Sequence, residues 1–295
     1  MISLRSLVES KIPEIQNLAT LPAIATEIMS LTESDRSSMK EISKIIEKDM
    51  TIASKILKIS NSPLYGYQRK IDTIQKALVL LGIKEVYNIV VGISVYSTFV
   101  NLKNNSDFDR DAFWEHSSGC GRIAKVFAEG LGLKFDGSEF LSGLLHDMGK
   151  LILDQYFQRE FSQILHKMKE DDISFFEAES ELFDINHAEV GALLLERWNV
   201  PENVIYAVRY HHSPELAKNY REMTCIIHIA NELDKIWGDV ELNKPHSFSL
   251  TENTGWKILK ESYPSLENFD IEKFTYELTQ EITKAKEIIT INKNG

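Results

Sequence analysis

Three observations predict an all-α protein. Apolar residues recur at three- and four-residue spacing along most of the 295 positions, the interval that lines one face of a helix. The period-two alternation of a half-buried strand is missing. Residues that cap or stop helices stand at the ends of the periodic segments. The expected organisation is an N-terminal helical bundle over 1–106, a second helical domain with a His/Asp cluster over 107–240, and a C-terminal helical extension over 241–295.

In chain order, Leu21-Pro22 fits a helix start, since a proline in the first turn loses no hydrogen bond. Ile24, Ile28, Met29 and Leu31 follow at helical spacing. Ile42, Ile45 and Ile46, then Met50, Ala53, Ile56 and Leu57, predict two short helices with Asp49 capping the second. A helix-turn-helix DNA reader needs a cationic recognition helix. This one offers only Lys55 and Lys58 behind Glu47 and Asp49, so the pair reads as core packing and DNA binding is not expected. Pro63 and Gly66 break the pattern. Asp72 or Thr73 then caps a helix that Gly82 closes, and 83–99 is apolar enough on every side to be buried.

The polar run 101–109 places a boundary near residue 106. Helices are expected over roughly 110–130, 137–156, 159–170, 187–198, 201–212 and 220–237. Residues 170–189 contain eight acids and neither Lys nor Arg, which reads as a solvated surface with some helix capping. After a loose stretch at Lys244-Pro245-His246, residues 271–291 carry an apolar stripe of Phe274, Leu278, Ile282, Ala285, Ile288 and Ile289.

Composition narrows the function classes. A net charge of -11 and a pI near 5.3 argue against a broad nucleic-acid or anionic-membrane surface, because phosphates need clustered Lys and Arg. Cys120 and Cys225 stand far apart in no metal-type spacing, so neither a disulfide framework nor a zinc ribbon is expected. The N-terminus lacks the apolar segment of a signal peptide. No uncharged run approaches the ~18 apolar residues of a membrane span; 86–100 comes nearest and carries Asn88, Ser94, Ser97 and Thr98. A soluble cytoplasmic protein is expected.

The chemistry centres on His146-Asp147, set among Leu144, Leu145, Leu151 and Ile152. Burying an ionisable pair there is costly without a metal or hydrogen bonds to compensate. Adjacent side chains on a helix diverge by about 100°, so both reach one ion only at a kink or a terminus. Imidazole and carboxylate together suit a divalent Fe, Mn, Zn or Mg ion rather than copper(I) or an iron–sulfur cluster. His116, His187, His211 and His212 are the further candidate ligands, against a reading of all six residues as a hydrogen-bonded polar core. His166, His228 and His246 read as ordinary surface or core histidines.

His116, His146-Asp147 and the later Ala230-Asn231 resemble in order the His, His-Asp, Asp motif of the HD superfamily of metal-dependent phosphohydrolases. Ile56 to Gly66, Ile74-Gln75-Lys76-Ala77, Leu80-Leu81-Gly82, Trp114-Glu115-His116-Ser117, His187 to Ala192 and Trp198-Asn199-Val200-Pro201 resemble one branch, the HDOD family, over residues 12–215. That resemblance implies a bacterial signal-transduction module that has largely lost the enzyme's residues and works through a protein partner. The last motif position reads Asn231, a neutral carbonyl in place of a carboxylate, with Asp234 one turn later as the candidate substitute. His187 and His211-His212 are similar in order to the second-metal histidines of the HD-GYP branch, which implies one or two ions bridged by Asp147. Lys150 matches the lysine that contacts substrate phosphate there. His212 is followed by Ser213-Pro214-Glu215 rather than Gly-Tyr-Pro. The expected function is therefore regulatory and non-catalytic; the enzyme alternative is a phosphohydrolase or phosphodiesterase acting on a nucleotide or cyclic dinucleotide.

Overall fold

Asp49 starts a helix, its carboxylate accepting from the N–H groups of Thr51 and Ile52, two of the donors that a helix start leaves without partners. Such local signals set most boundaries in this computed structural model, which describes residues 3–15, 23–32, 38–62, 65–66, 70–100, 108–241, 249–270, 273–274 and 276. The expected helix start at Leu21-Pro22, the break at Pro63, the boundary at 106, the stretch Lys244-Pro245-His246 and nearly all of 271–291 lie outside the described residues.

The described residues contain helices and turns and no strand. The first six helices are α1 (Leu4–Lys11), α2 (Ala23–Thr32), α3 (Met39–Glu47), α4 (Met50–Ser60), α5 (Ile74–Leu81) and α6 (Ile83–Val100). Thr73 caps α5 as expected, and Gly82 closes it at φ 88°, so that α5 and α6 meet at 119°. There follow α7 (Arg110–Gly130), α8 (Ser138–Leu145), α9 (Met148–Tyr156), α10 (Gln158–Asp171), α11 (Phe175–Leu182), α12 (His187–Arg197), α13 (Glu202–Tyr210), α14 (Arg221–Glu241) and α15 (Thr254–Ser262). No single described helix is long and apolar enough to cross a membrane. Cys120 and Cys225 are buried free thiols.

One apolar core runs from Leu4 in α1 to Val208 in α13 and takes in Ile56, Val90, Leu141, Ile152 and Leu195. Both sides of the expected boundary at 106 contribute to it. A second core joins Phe127 of α7, Ile226 of α14 and Trp256 of α15. Each aliphatic side chain fully buried in these cores stabilises by ~1.5–3 kcal/mol. Between α6 and α7 lies a buried ion pair, Lys125 Nζ donating to Glu85 Oε1 at 2.9 Å. Tyr65 donates its hydroxyl to the same carboxylate and places its ring 4.4 Å from the ammonium.

Two expectations need correction. The single helix expected over 137–156 is two, because the chain breaks at Asp147, whose φ of -98° and ψ of 4° leave the helical range. The apolar run across the break hides it, and the break is what lets His146 and Asp147 face one point. The acidic stretch 170–189 is not simply a solvated surface: it forms α11, and Glu179 on that helix is fully buried. Its capping role does hold, since Glu177 and Glu189 each complete a capping box, with Ser174 and Asn186.

Candidate metal centre

The site is assembled by close helix contacts. Gly149, in the first turn of α9, packs on α12 so tightly that a Cβ there would sit 1.8 Å from the His187 carbonyl oxygen. That contact brings Asp147 beside His187. On the other side, a Cβ on Gly119 of α7 would meet Asp234 Oδ1 of α14 at 2.0 Å, so α14 reaches His116 only because residue 119 has no side chain.

All six expected residues converge. His146, His187 and His211 are fully buried and Asp147 nearly so. One group joins Asp147 to His187, His211 and His212, the other joins it to His116 and His146, and within each the candidate ligand atoms lie within 4.8 Å of one another. The carboxylate divides between them. Oδ1 lies 2.9 Å from His187 Nε2 and 3.6 Å from His211 Nε2. Oδ2 lies 3.4 Å from His146 Nε2 and 3.8 Å from His116 Nε2. Lys150, matched by sequence to a phosphate contact, donates instead to Oδ2 at 2.6 Å.

The outer ring nitrogens are committed elsewhere, which fixes the tautomers. His146 Nδ1 donates to the Gly143 carbonyl and His211 Nδ1 to the Val208 carbonyl, each at 2.7 Å. His187 Nδ1 donates to Glu179 Oε2 at 2.6 Å, and His116 Nδ1 to Asp234 Oδ2 at 2.7 Å. Four Nε2 atoms therefore face the carboxylate with their lone pairs inward, the pattern of a metal site whose outer hydrogen bonds orient its imidazoles. Two inward contacts bring ring nitrogens close together, His116 Nε2 to His146 Nε2 at 3.3 Å and His187 Nε2 to His212 Nε2 at 3.1 Å. Even so, Asp147 Oδ1 and His211 Nε2 are buried without a hydrogen-bond partner. A self-contained polar core would pair such groups, whereas a cation would satisfy both acceptors, so these residues fit a metal ion.

The electrostatics agree. Burial would raise the Asp147 carboxyl, but His146, Lys150 and His187 outweigh it and hold the group well below the usual carboxylate range. Burial pulls His146 down despite Asp147, and takes His211 to about 3. It also drives His212 well down, helped by His211 and His187. His187 alone of these is raised, because Glu179 and Asp147 overcome its burial. Burial thus favours the neutral form of His146, His211 and His212, the form in which an imidazole can ligate.

Sequence reasoning missed Glu179, though Phe175, Ala178, Glu179 and Leu182 fall at helical spacing, which puts an acid on an apolar face. Asp234, the candidate substitute for the last motif carboxylate, pairs with the outer nitrogen of His116. Asn231 is buried with its Oδ1 lacking a partner. His228 is a satisfied core histidine, its Nδ1 donating to the His211 carbonyl at 2.7 Å, and His166 lies exposed beside Glu170. Phe176 stacks on His212 with ring centroids 4.2 Å apart.

Solved structures share this architecture. An HDOD domain protein of unknown function from Geobacter sulfurreducens is 26% identical, with 96% of this chain and 95% of that one aligned at a TM-score of 0.77. A Shewanella amazonensis protein provisionally designated a phosphohydrolase is 20% identical, covering 96% and 98%, at a TM-score of 0.70. An uncharacterized protein of Treponema pallidum is 24% identical over 219 residues, 74% of this chain and 42% of the relative. The chain spans less than half the length of the curated relatives it matches. Residues 18–214 match the HDOD domain, and with two thirds of its length so matched the chain belongs to the HDOD family.

Proposed function

We propose that this chain is a regulatory, non-catalytic signalling module that holds a divalent metal ion on His187, His211, His212 and Asp147 and works through a protein partner. The observation that carries it is the pair of orphaned acceptors, Asp147 Oδ1 and His211 Nε2, inside a ring of imidazoles whose outer nitrogens are already bonded. Three imidazoles and one carboxylate favour a first-row transition ion, Fe, Zn or Mn, over Mg, which prefers oxygen. The loss of hydrolysis is supported by Asn231 at the last motif position and by Lys150, whose ammonium is held by Asp147 rather than presented to a phosphate. The ion's role in this reading is structural: it fixes the junction of α9, α12 and α13, the elements a partner would sense.

Elemental analysis of tag-free protein purified without oxygen tests the metal. Bound ion in the wild type and its loss in Asp147→Ala are expected, and no ion in the wild type overturns the reading. A panel of cyclic dinucleotides, cyclic mononucleotides and nucleotides, assayed with Mn(II) or Fe(II), tests catalysis. No turnover above background is expected. Hydrolysis abolished by His146→Ala and Asp147→Ala would make the protein a phosphohydrolase instead.

A further inference from the structure

The two faces of the Asp147 carboxylate are not equivalent, and the asymmetry bears on how many ions the cluster holds. The two ring acceptors that make no hydrogen-bond contact, Oδ1 itself and His211 Nε2, lie on the Oδ1 face. The Oδ2 face has a cation of its own. Lys150 Nζ sits 2.6 Å from Oδ2, one turn along α9 from the carboxylate, and 5.2 Å from the Phe175 ring centroid. It is mostly buried, with 17% of its side chain exposed. Position and aromatic contact both hold the ammonium in place.

The remaining Oδ2 ligands are two imidazoles. His116 and His146 meet nitrogen to nitrogen at 3.3 Å. Asp234, the nearby carboxylate that would complete a site, is spent on the outer nitrogen of His116 at 2.7 Å. A second dication on His116, His146 and Oδ2 would face an ammonium at contact distance where little water screens the repulsion.

We infer that Lys150 serves as the resident cation of the Oδ2 face, standing in for a second metal ion, so that the cluster binds a single divalent ion on the Oδ1 face. The inference rests on the metal reading above. Lys150 is a positioning residue in this account: it neutralises half of the carboxylate and leaves Oδ1 to the ion.

Metal stoichiometry tests it, with Mn(II) as the probe added anaerobically to the full chain, excess removed, and bound metal measured by elemental analysis and electron paramagnetic resonance. The wild type and Lys150→Arg are expected to hold one ion per chain with the six-line spectrum of isolated Mn(II). Lys150→Ala and Lys150→Gln are expected to hold two, with the broadened multiline signal of a coupled pair. Adding His116→Ala to either is expected to return the count to one. Circular dichroism and thermal unfolding confirm that each variant is folded, and glutamine keeps the stem should alanine fail. Two ions in the wild type, or one in both neutral variants, overturns the inference while the metal reading stands. No ion in the wild type defeats both.

Discussion

Glu179 accepts both hydrogen bonds that His187 offers it, the backbone N–H at 2.7 Å to Oε1 and the ring Nδ1–H at 2.6 Å to Oε2, and both side chains are fully buried. The carboxylate thereby fixes the tautomer that turns Nε2 toward Asp147. Glu179→Gln keeps the size but presents one donor, which favours the opposite tautomer and points an N–H at the ion's position. Loss of such an outer partner lowers metal affinity by about 10- to 100-fold. Competitive chelator titration is expected to read that loss, with Glu179→Asp intermediate. Unchanged affinity in Glu179→Gln would show that His187 is oriented by packing alone.

Gly149 carries the second prediction. A methyl group at 149 would overlap the His187 carbonyl oxygen and come within 2.9 Å of the Gly191 amide nitrogen, both backbone atoms that cannot rotate aside. Helix α9 must move off α12, at a cost of about 1–3 kcal/mol for overpacking, and the shift separates Asp147 from His187. Gly149→Ala is therefore expected to lower both denaturant stability and metal affinity. Gly132→Ala is the comparison: at φ 71° with no atom within 4 Å of the added carbon, it strains the backbone alone. Stability should fall there while metal content stays at the wild-type level.

These relationships explain how far the sequence was readable. Helix ends marked by Asp49, Thr73 and Gly82 stood where local rules place them, because capping is decided within four residues. The break at Asp147 was invisible, since Leu144 to Ile152 satisfies a helical pattern and the kink answers to tertiary contacts through Gly149. The histidines of the cluster were identified through motif order. Glu179 was hidden among acids that do face solvent, and only the apolar phase of α11 distinguishes it. Asp234 was found by position, but its contact with the outer rather than the inner nitrogen of His116 depends on how closely α14 approaches Gly119. Residue order shows which groups meet, whereas the atoms that meet depend on helix spacing.

Glu139 yields a pH prediction away from the cluster. It stands in the first turn of α8, 5% exposed, with Oε2 lacking any hydrogen-bond partner. Burial is the main cause that pushes its carboxyl from 4.5 up to about 7, with Lys125 opposing and Glu85 reinforcing the rise. Because Lys125 already donates to Glu85, its charge is largely spent there. A carboxyl raised on folding favours the native state while protonated in both states, so its contribution is fully present below pH 4.5 and is lost as pH climbs through about 7. The interval corresponds to roughly 3 kcal/mol. Glu139→Gln holds the neutral form at every pH. Urea unfolding at pH 5 and pH 8 is expected to show wild type and variant nearly matched at the lower pH, with the variant more stable by up to that amount at the higher. Equal stabilities at pH 8 would mean that the carboxylate finds a compensating partner when it ionises, and that the α8 start relaxes around it.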